Sequence, residues 1–227
     1  MFERLHPHLQ RVRDAMPFSH ARTSFAQEGE DLILERLFET EASGIYVDVG
    51  AHHPKRFSNT HLLYRRGWRG VNIDATPGSM TMFRRHRPRD INLEIGVTAK
   101  AEARDFFVFN EPALNTFDAD RAHSLERPPY VIEAVHQVRC APLSAILREH
   151  SIAAIDLLAI DAEGFDFEVL QTLDWNIYRP RIVLTEQFAR DIATLLTSEL
   201  HGFMHARGYR LIAKTFNSVF YVATDGV

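Results

Sequence analysis

The most restrictive feature of this chain is a repeated unit: a short apolar run that ends in an acid, followed by a helical stretch. Residues 44–50 read Gly-Ile-Tyr-Val-Asp-Val-Gly and residues 70–74 read Gly-Val-Asn-Ile-Asp. Residues 155–161 read Ile-Asp-Leu-Leu-Ala-Ile-Asp, and residues 181–186 end in Thr-Glu. Compact apolar runs of this kind suit strands covered on both faces, as in a parallel sheet. A further run at 91–97 reads as a strand of the same set. Helical periodicity occupies 58–66, 79–86, 142–150, 165–173 and 191–207, the last closed by Gly208. Strands alternating with helices imply βαβ units, and so a doubly wound, mostly parallel α/β sheet of about seven strands. The final strands, 209–213 and 218–223, are joined by only Lys214-Thr215-Phe216-Asn217, which predicts an antiparallel hairpin at the sheet end.

The rhythm is interrupted twice. At the N-terminus, Leu5, Leu9, Val12 and Met16 predict a helix over 3–15. A second helix is expected over 27–38, with Ser24 as N-cap and Gln27 completing a capping box. Residues 1–40 are thus expected to form a helical cap on the unit that spans 41–227. Within that unit, 103–141 reads as an insertion. It holds two strands, 105–109 and 132–140, around a polar loop with Pro112, Asn115, Pro128 and Pro129. Such a long loop suits a lid over the acceptor. Phe106, Phe107 and Phe109 read as core.

With 227 residues, 45% of them hydrophobic, the chain has enough for one full core and no separate substrate domain. The 26 Lys and Arg against 30 Asp and Glu give a net charge of -4, which speaks against nucleic acid as partner. Arg65, Arg66, Arg69 and the run Arg84-Arg85-His86-Arg87-Pro88-Arg89 are best read as a solvated helix side. A single cysteine, Cys140, excludes an internal disulfide and disfavours a Cys-based zinc site. The first residues carry charges where a leader needs an apolar run, and no stretch is long enough to span a bilayer. The cytoplasm is the expected location. A homodimer is an option through the apolar stripes of the N-terminal helices.

In open α/β sheets, ligands lie beyond the carboxyl ends of the strands. Asp48, Asp74, Asp161 and Glu186 would converge there. Clustered acids repel one another, and a ligand rich in hydroxyls and amines, or a metal, relieves that cost. The first turn, Asp48-Val49-Gly50-Ala51-His52-His53-Pro54, has one glycine where a dinucleotide fingerprint has three. It therefore suits a nucleoside without a diphosphate. Asp74, about 24 residues beyond Gly50, sits where an acid meets a ribose hydroxyl pair.

The chain resembles the FkbM family of S-adenosylmethionine-dependent methyltransferases. The matching blocks are Ser24-Phe25-Ala26-Gln27-Glu28-Gly29-Glu30-Asp31, Tyr46 to Pro54, Phe57-Ser58-Asn59-Thr60, Gly67-Trp68-Arg69-Gly70, Asn72-Ile73-Asp74-Ala75 and Leu158 to Gly164. The resemblance implies a class I methyltransferase fold and methyl transfer to a hydroxyl, commonly on a sugar, glycan or glycosylated natural product. Position and resemblance together assign the cofactor site. Gly50 and Ala51 pass the methionine part, with His52 beside them, and Asp48 faces its amine. Ser58 and Asn59 reach its carboxylate. Asp74, with Ala75, holds the ribose, Gly96 and Val97 border the adenine, and Gln27 joins a lid. Asp161 is the first candidate for the general base and also borders the cofactor. His53 and Glu186 are its competitors. Asp161 with Glu186 would suit Mg²⁺. His201 and His205 read as a helix face and His136 as a strand residue. The competing reading is a catalytically silent Rossmann-like nucleotide-binding or interaction module.

Overall fold

The computed structural model describes residues 21–224. The helix expected over 3–15 lies outside them. A seven-stranded sheet is built from β1 (Ile45–Val49), β2 (Arg69–Asp74), β3 (Ile91–Glu94), β7 (Leu157–Ile160), β8 (Ile182–Glu186), β9 (Tyr209–Lys214) and β10 (Ser218–Ala223). Its order is β3-β2-β1-β7-β8-β10-β9. The first five strands run parallel, and β10 pairs antiparallel with both β8 and β9. The expected doubly wound sheet with an antiparallel C-terminal hairpin is present. A small second sheet holds β4 (Gly96–Val97), β5 (Glu102–Phe109) and β6 (Ile132–Ala141) in the order β4-β6-β5.

Alternation along each central strand loads both faces of the sheet. Tyr46, Leu157, Ala159 and Leu184 pack on one face with Leu34, Phe38, Leu63 and Trp68. These come from α1 (Glu30–Leu37) and α2 (His61–Arg65) and the turns after them. Val47, Val49, Val71, Leu158 and Val183 pack on the other face. They meet α5 (Leu143–Glu149), α6 (Asp166–Gln171), α7 (Ile192–Leu196) and α8 (Glu199–Ala206). Helices on both faces of a parallel sheet make the three-layer α/β arrangement. α3 (Met80–His86) places Met80 and Phe83 against Ala51.

Four local expectations need correction. The helix predicted over 27–38 starts later, at Glu30, because Gly29 turns with φ 89° and leaves no side-chain cap. Ser24 does not cap it; its hydroxyl and the Phe25 N–H donate to Asp31 instead. The strand predicted over 91–97 is split, since Gly96 and Val97 leave the main sheet and pair with Cys140 and Ala141 of β6. The polar loop after β5 holds a 3₁₀ turn at Pro112–Leu114 and a helix, α4 (Ala119–Leu125), capped by Asp118. The helix predicted over 191–207 is two helices, because Ser198 caps a new start by accepting from the His201 N–H.

Candidate active site

Where the chain moves from β1 outwards to β2 and then returns to β7, neighbouring loops part. A cavity of about 230 Å³ opens there, over the carboxyl ends of β1, β2 and β7. Gly50 makes the floor possible. Its φ is 78°, and a Cβ there would lie 1.7 Å from the Asp161 carbonyl oxygen. Only glycine lets the turn after β1 lie against the turn after β7.

Asp74 closes β2 and is 9% exposed. One carboxylate oxygen accepts from the His52 N–H and the other from the Thr76 N–H, both at 2.8 Å. The group is locked in orientation with lone pairs to spare. Asp48, in β1, is 6% exposed and accepts from the Thr60 hydroxyl at 2.6 Å. Burial raises its carboxyl above the ordinary carboxylate range, and the Arg87 charge offsets only part of that rise.

The opposite wall is differently made. Asp161 borders the cavity with Ala162 and Glu163. Burial first, then the charges of Asp166 and Glu163, push the Asp161 carboxyl up to about 7. No donor among the described residues reaches that carboxylate. Glu186 ends β8, where burial and the Asp161 charge push it up to about 8. Its Oε2 is buried without a hydrogen-bond partner. Asp166, by contrast, accepts from the Glu186 and Ala162 N–H groups and from Thr185.

The inserted segment supplies the roof. Phe106 of β5 stacks near Phe117, with ring centres 4.6 Å apart, and both border the cavity. Gly96 leaves room for Phe117, since a Cβ there would lie 2.5 Å from that ring. Arg121 of α4 donates to the Glu163 carbonyl and so ties the insertion to the β7 turn. Asn115 bonds the Phe109 N–H and reaches Thr76 at 3.5 Å.

The structure brings Gln27, Asp48, Gly50, Ala51, His52, Asn59, Asp74, Ala75, Gly96, Val97 and Asp161 to this one cavity. Three expected residues are placed elsewhere. Ser58 is buried with its hydroxyl accepting from Arg87, so it does not border the cavity. His53 also lies off it, its Nδ1 accepting from the Lys55 and Arg56 N–H groups, as a loop histidine does. Glu186 borders a neighbouring hollow with Asp166 and Phe188 instead. Among the described residues, no three His, Cys, Asp or Glu side chains are set to hold a metal ion. No helix there is long and apolar enough to cross a membrane. Phe106, expected as core, is buried and also borders the cavity. Sequence pattern misses Arg56, Phe57, Thr76 and Phe165 as lining residues, because single residues at loop tips carry no periodic signal. It also misplaces Arg87, which is 0% exposed rather than solvated.

The family model described as the methyltransferase FkbM domain matches residues 48–211. Among curated proteins none matches the sequence. Several solved methyltransferases are similar in outline. The O-methyltransferase from Bacillus cereus, in complex with SAH, is 12% identical with a TM-score of 0.49, covering 96% of this chain and 89% of its own. The TehB-like SAM-dependent methyltransferase from Corynebacterium glutamicum is 11% identical with a TM-score of 0.44, covering 96% of each. The 1,6-didemethyltoxoflavin-N1-methyltransferase from Burkholderia thailandensis is 12% identical with a TM-score of 0.45, covering 98% of this chain and 92% of its own.

Proposed function

The chain belongs to the FkbM methyltransferase family, and from that premise we propose that it binds S-adenosylmethionine and methylates a hydroxyl of a sugar, glycan or glycosylated natural product. One observation carries the cofactor part. Asp48 and Asp74 close adjacent strands and face one cavity across the single-glycine turn at Gly50.

The residues present fit such a cofactor. Asp74 is held by two N–H donors and keeps lone pairs for a ribose diol. Asp48 offers a negative charge to an amino group. Ile95, Val97, Phe106 and Phe117 supply apolar lining to the same cavity, which suits an adenine ring. Asn59 and Ala51 line the same cavity, and we assign them to the methionine part. When bound, this cofactor supplies an electrophilic methyl group on a sulfonium.

A sugar hydroxyl is a weak nucleophile and needs a base. Asp161 takes that role: it borders the cavity, and a carboxyl near 7 accepts a proton without being permanently charged. Glu163 shapes the same wall, and the Phe106–Phe117 pair helps exclude water. The carboxylate-rich rim suits an acceptor that presents many hydroxyls.

The test is a radiomethyl transfer assay against free sugars, nucleotide sugars and glycans, alongside calorimetry with S-adenosylmethionine. Binding of cofactor with methylation of a hydroxylated acceptor is expected. No binding at millimolar cofactor would remove the cofactor assignment. Methylation confined to amines or carbon would remove the acceptor class.

A further inference from the structure

Arg87 caps the end of α3 and is completely buried. A buried cation is costly unless it is partnered. Yet among the described residues no carboxylate touches it. Its guanidinium donates to four neutral oxygens: the Pro54 carbonyl at 2.9 Å, Thr60 Oγ1 at 2.7 Å, Asn72 Oδ1 at 3.1 Å and the Ser58 hydroxyl. The rings of Phe83 and Tyr64 lie 5.4 and 5.7 Å from it.

The missing counter-charges stand one residue further out, on two sides. Thr60 accepts from Arg87 and donates its own hydroxyl to Asp48. Asn72 accepts from Arg87 and donates to Asp90 at 3.0 Å. A hydroxyl that accepts from a cation becomes a stronger donor, so Thr60 transmits the charge rather than blocking it. The two carboxylates are unequal. Asp90 also accepts from the Tyr46 hydroxyl and the Gly70 N–H. Asp48 accepts from Thr60 alone among the described residues and borders the cavity. Burial pushes both carboxyls up and the Arg87 charge opposes that rise at each, but of the two only Asp48 borders the cavity.

We propose that Arg87, acting through Thr60, is a positioning residue that holds Asp48 charged and aimed into the cavity, so that the site selects a ligand bearing an ammonium group. This rests on the cofactor reading above, where that group is the amino end of the methionine part. Arg87 also braces the loop after β1, in which His52 and Phe57 adopt left-handed φ values of 52° and 56°. Such conformations persist only when their surroundings hold them. The test must therefore separate bracing from charge.

Calorimetry on the full chain with two ligands does so. S-adenosylhomocysteine carries the ammonium group; 5′-methylthioadenosine shares the nucleoside and thioether but lacks it. Arg87→Gln is expected to weaken S-adenosylhomocysteine by about tenfold or more, while 5′-methylthioadenosine changes by less than about twofold. Thr60→Val keeps the shape of the side chain and removes only the relay. It should cost S-adenosylhomocysteine about three- to tenfold with the same selectivity, and this variant decides the matter if Arg87→Gln does not fold. In an Asp48→Asn background, Thr60→Val should have no further effect; additive losses would overturn the relay. Equal weakening of both ligands would reduce Arg87 to a brace, and unchanged S-adenosylhomocysteine binding would also overturn the proposal. If the unaltered protein binds neither ligand, the cofactor reading falls and takes this one with it. If it binds both and the variants do not discriminate, only this proposal falls.

Discussion

Asp48 and Asp74 on one side, and Asp161 and Glu186 on the other, occupy equivalent places at the ends of neighbouring parallel strands. The loops after those strands treat the two pairs oppositely. The turns after β1 and β2 return N–H and hydroxyl donors to their acids. Among the described residues the turns after β7 and β8 offer none to Asp161 and Glu186; burial raises Asp48 too, against the pull of Arg87, but it pushes Asp161 and Glu186 up to about 7 and about 8 with no donor to oppose it. The first pair is oriented; the second is left able to exchange a proton. A sheet can therefore carry binding and proton transfer side by side with one residue chemistry, and the loops decide which is which.

The sharpest way to break this contrast is Asp161→Asn. Turnover should fall by about 10²–10⁴-fold, the usual worth of a general base. Affinity for S-adenosylhomocysteine, read by calorimetry, should change little. An equal loss of cofactor affinity would move Asp161 into the oriented pair. In the unaltered protein, kcat/KM should rise as pH rises through about 7, because the base acts only when deprotonated. That rise should vanish in the variant. Next in size is Asp74→Ala. Removing a charged acceptor of two ribose hydroxyls should weaken S-adenosylhomocysteine by about a hundredfold. Unchanged affinity would place the ribose elsewhere.

Much of this contrast is legible in the chain itself. The apolar runs ending at Asp48, Asp74, Asp161 and Glu186 mark the sheet, its direction and all four acid positions, because burial on both faces of a strand leaves a contiguous apolar pattern. The hidden part depends on contacts between distant segments. Whether an acid finds a donor cannot be read from its own neighbourhood: Asp48 is served by Thr60, and Thr60 in turn by Arg87. Arg87 itself sits among arginines that pattern alone assigns to solvent. α4 escapes notice because its only buried residue is Ala122, which leaves no apolar periodicity. His53 and Ser58 are misplaced by one or two positions in a loop whose path is set by left-handed residues, which composition does not mark.

The two pairs meet at one point, where Gly50 lies against the Asp161 carbonyl. Gly50→Ala forces a Cβ into that contact and strains a φ of 78°. Melting temperature should drop by several degrees, and S-adenosylhomocysteine should weaken by about tenfold as the turns separate. An alanine variant with unaltered melting and binding would show that the halves need not touch.

The smallest effect is the most specific. Glu186 keeps its proton in the fold at pH values where the unfolded chain has released it. A carboxyl whose folded pKa is raised penalises the native state as pH rises from the ordinary carboxylate range through about 8. Glu186→Gln removes that penalty. Near pH 5 the variant and the unaltered protein should melt together, since both carry a neutral side chain in the fold. By pH 8 the variant should melt a few degrees higher, the gain being trimmed by solvent screening of a partly exposed group. Thermal melts across this range check it. A gap of constant size at every pH would mean that Glu186 acts through packing, and the proton-exchanging side of the sheet would then reduce to Asp161 alone.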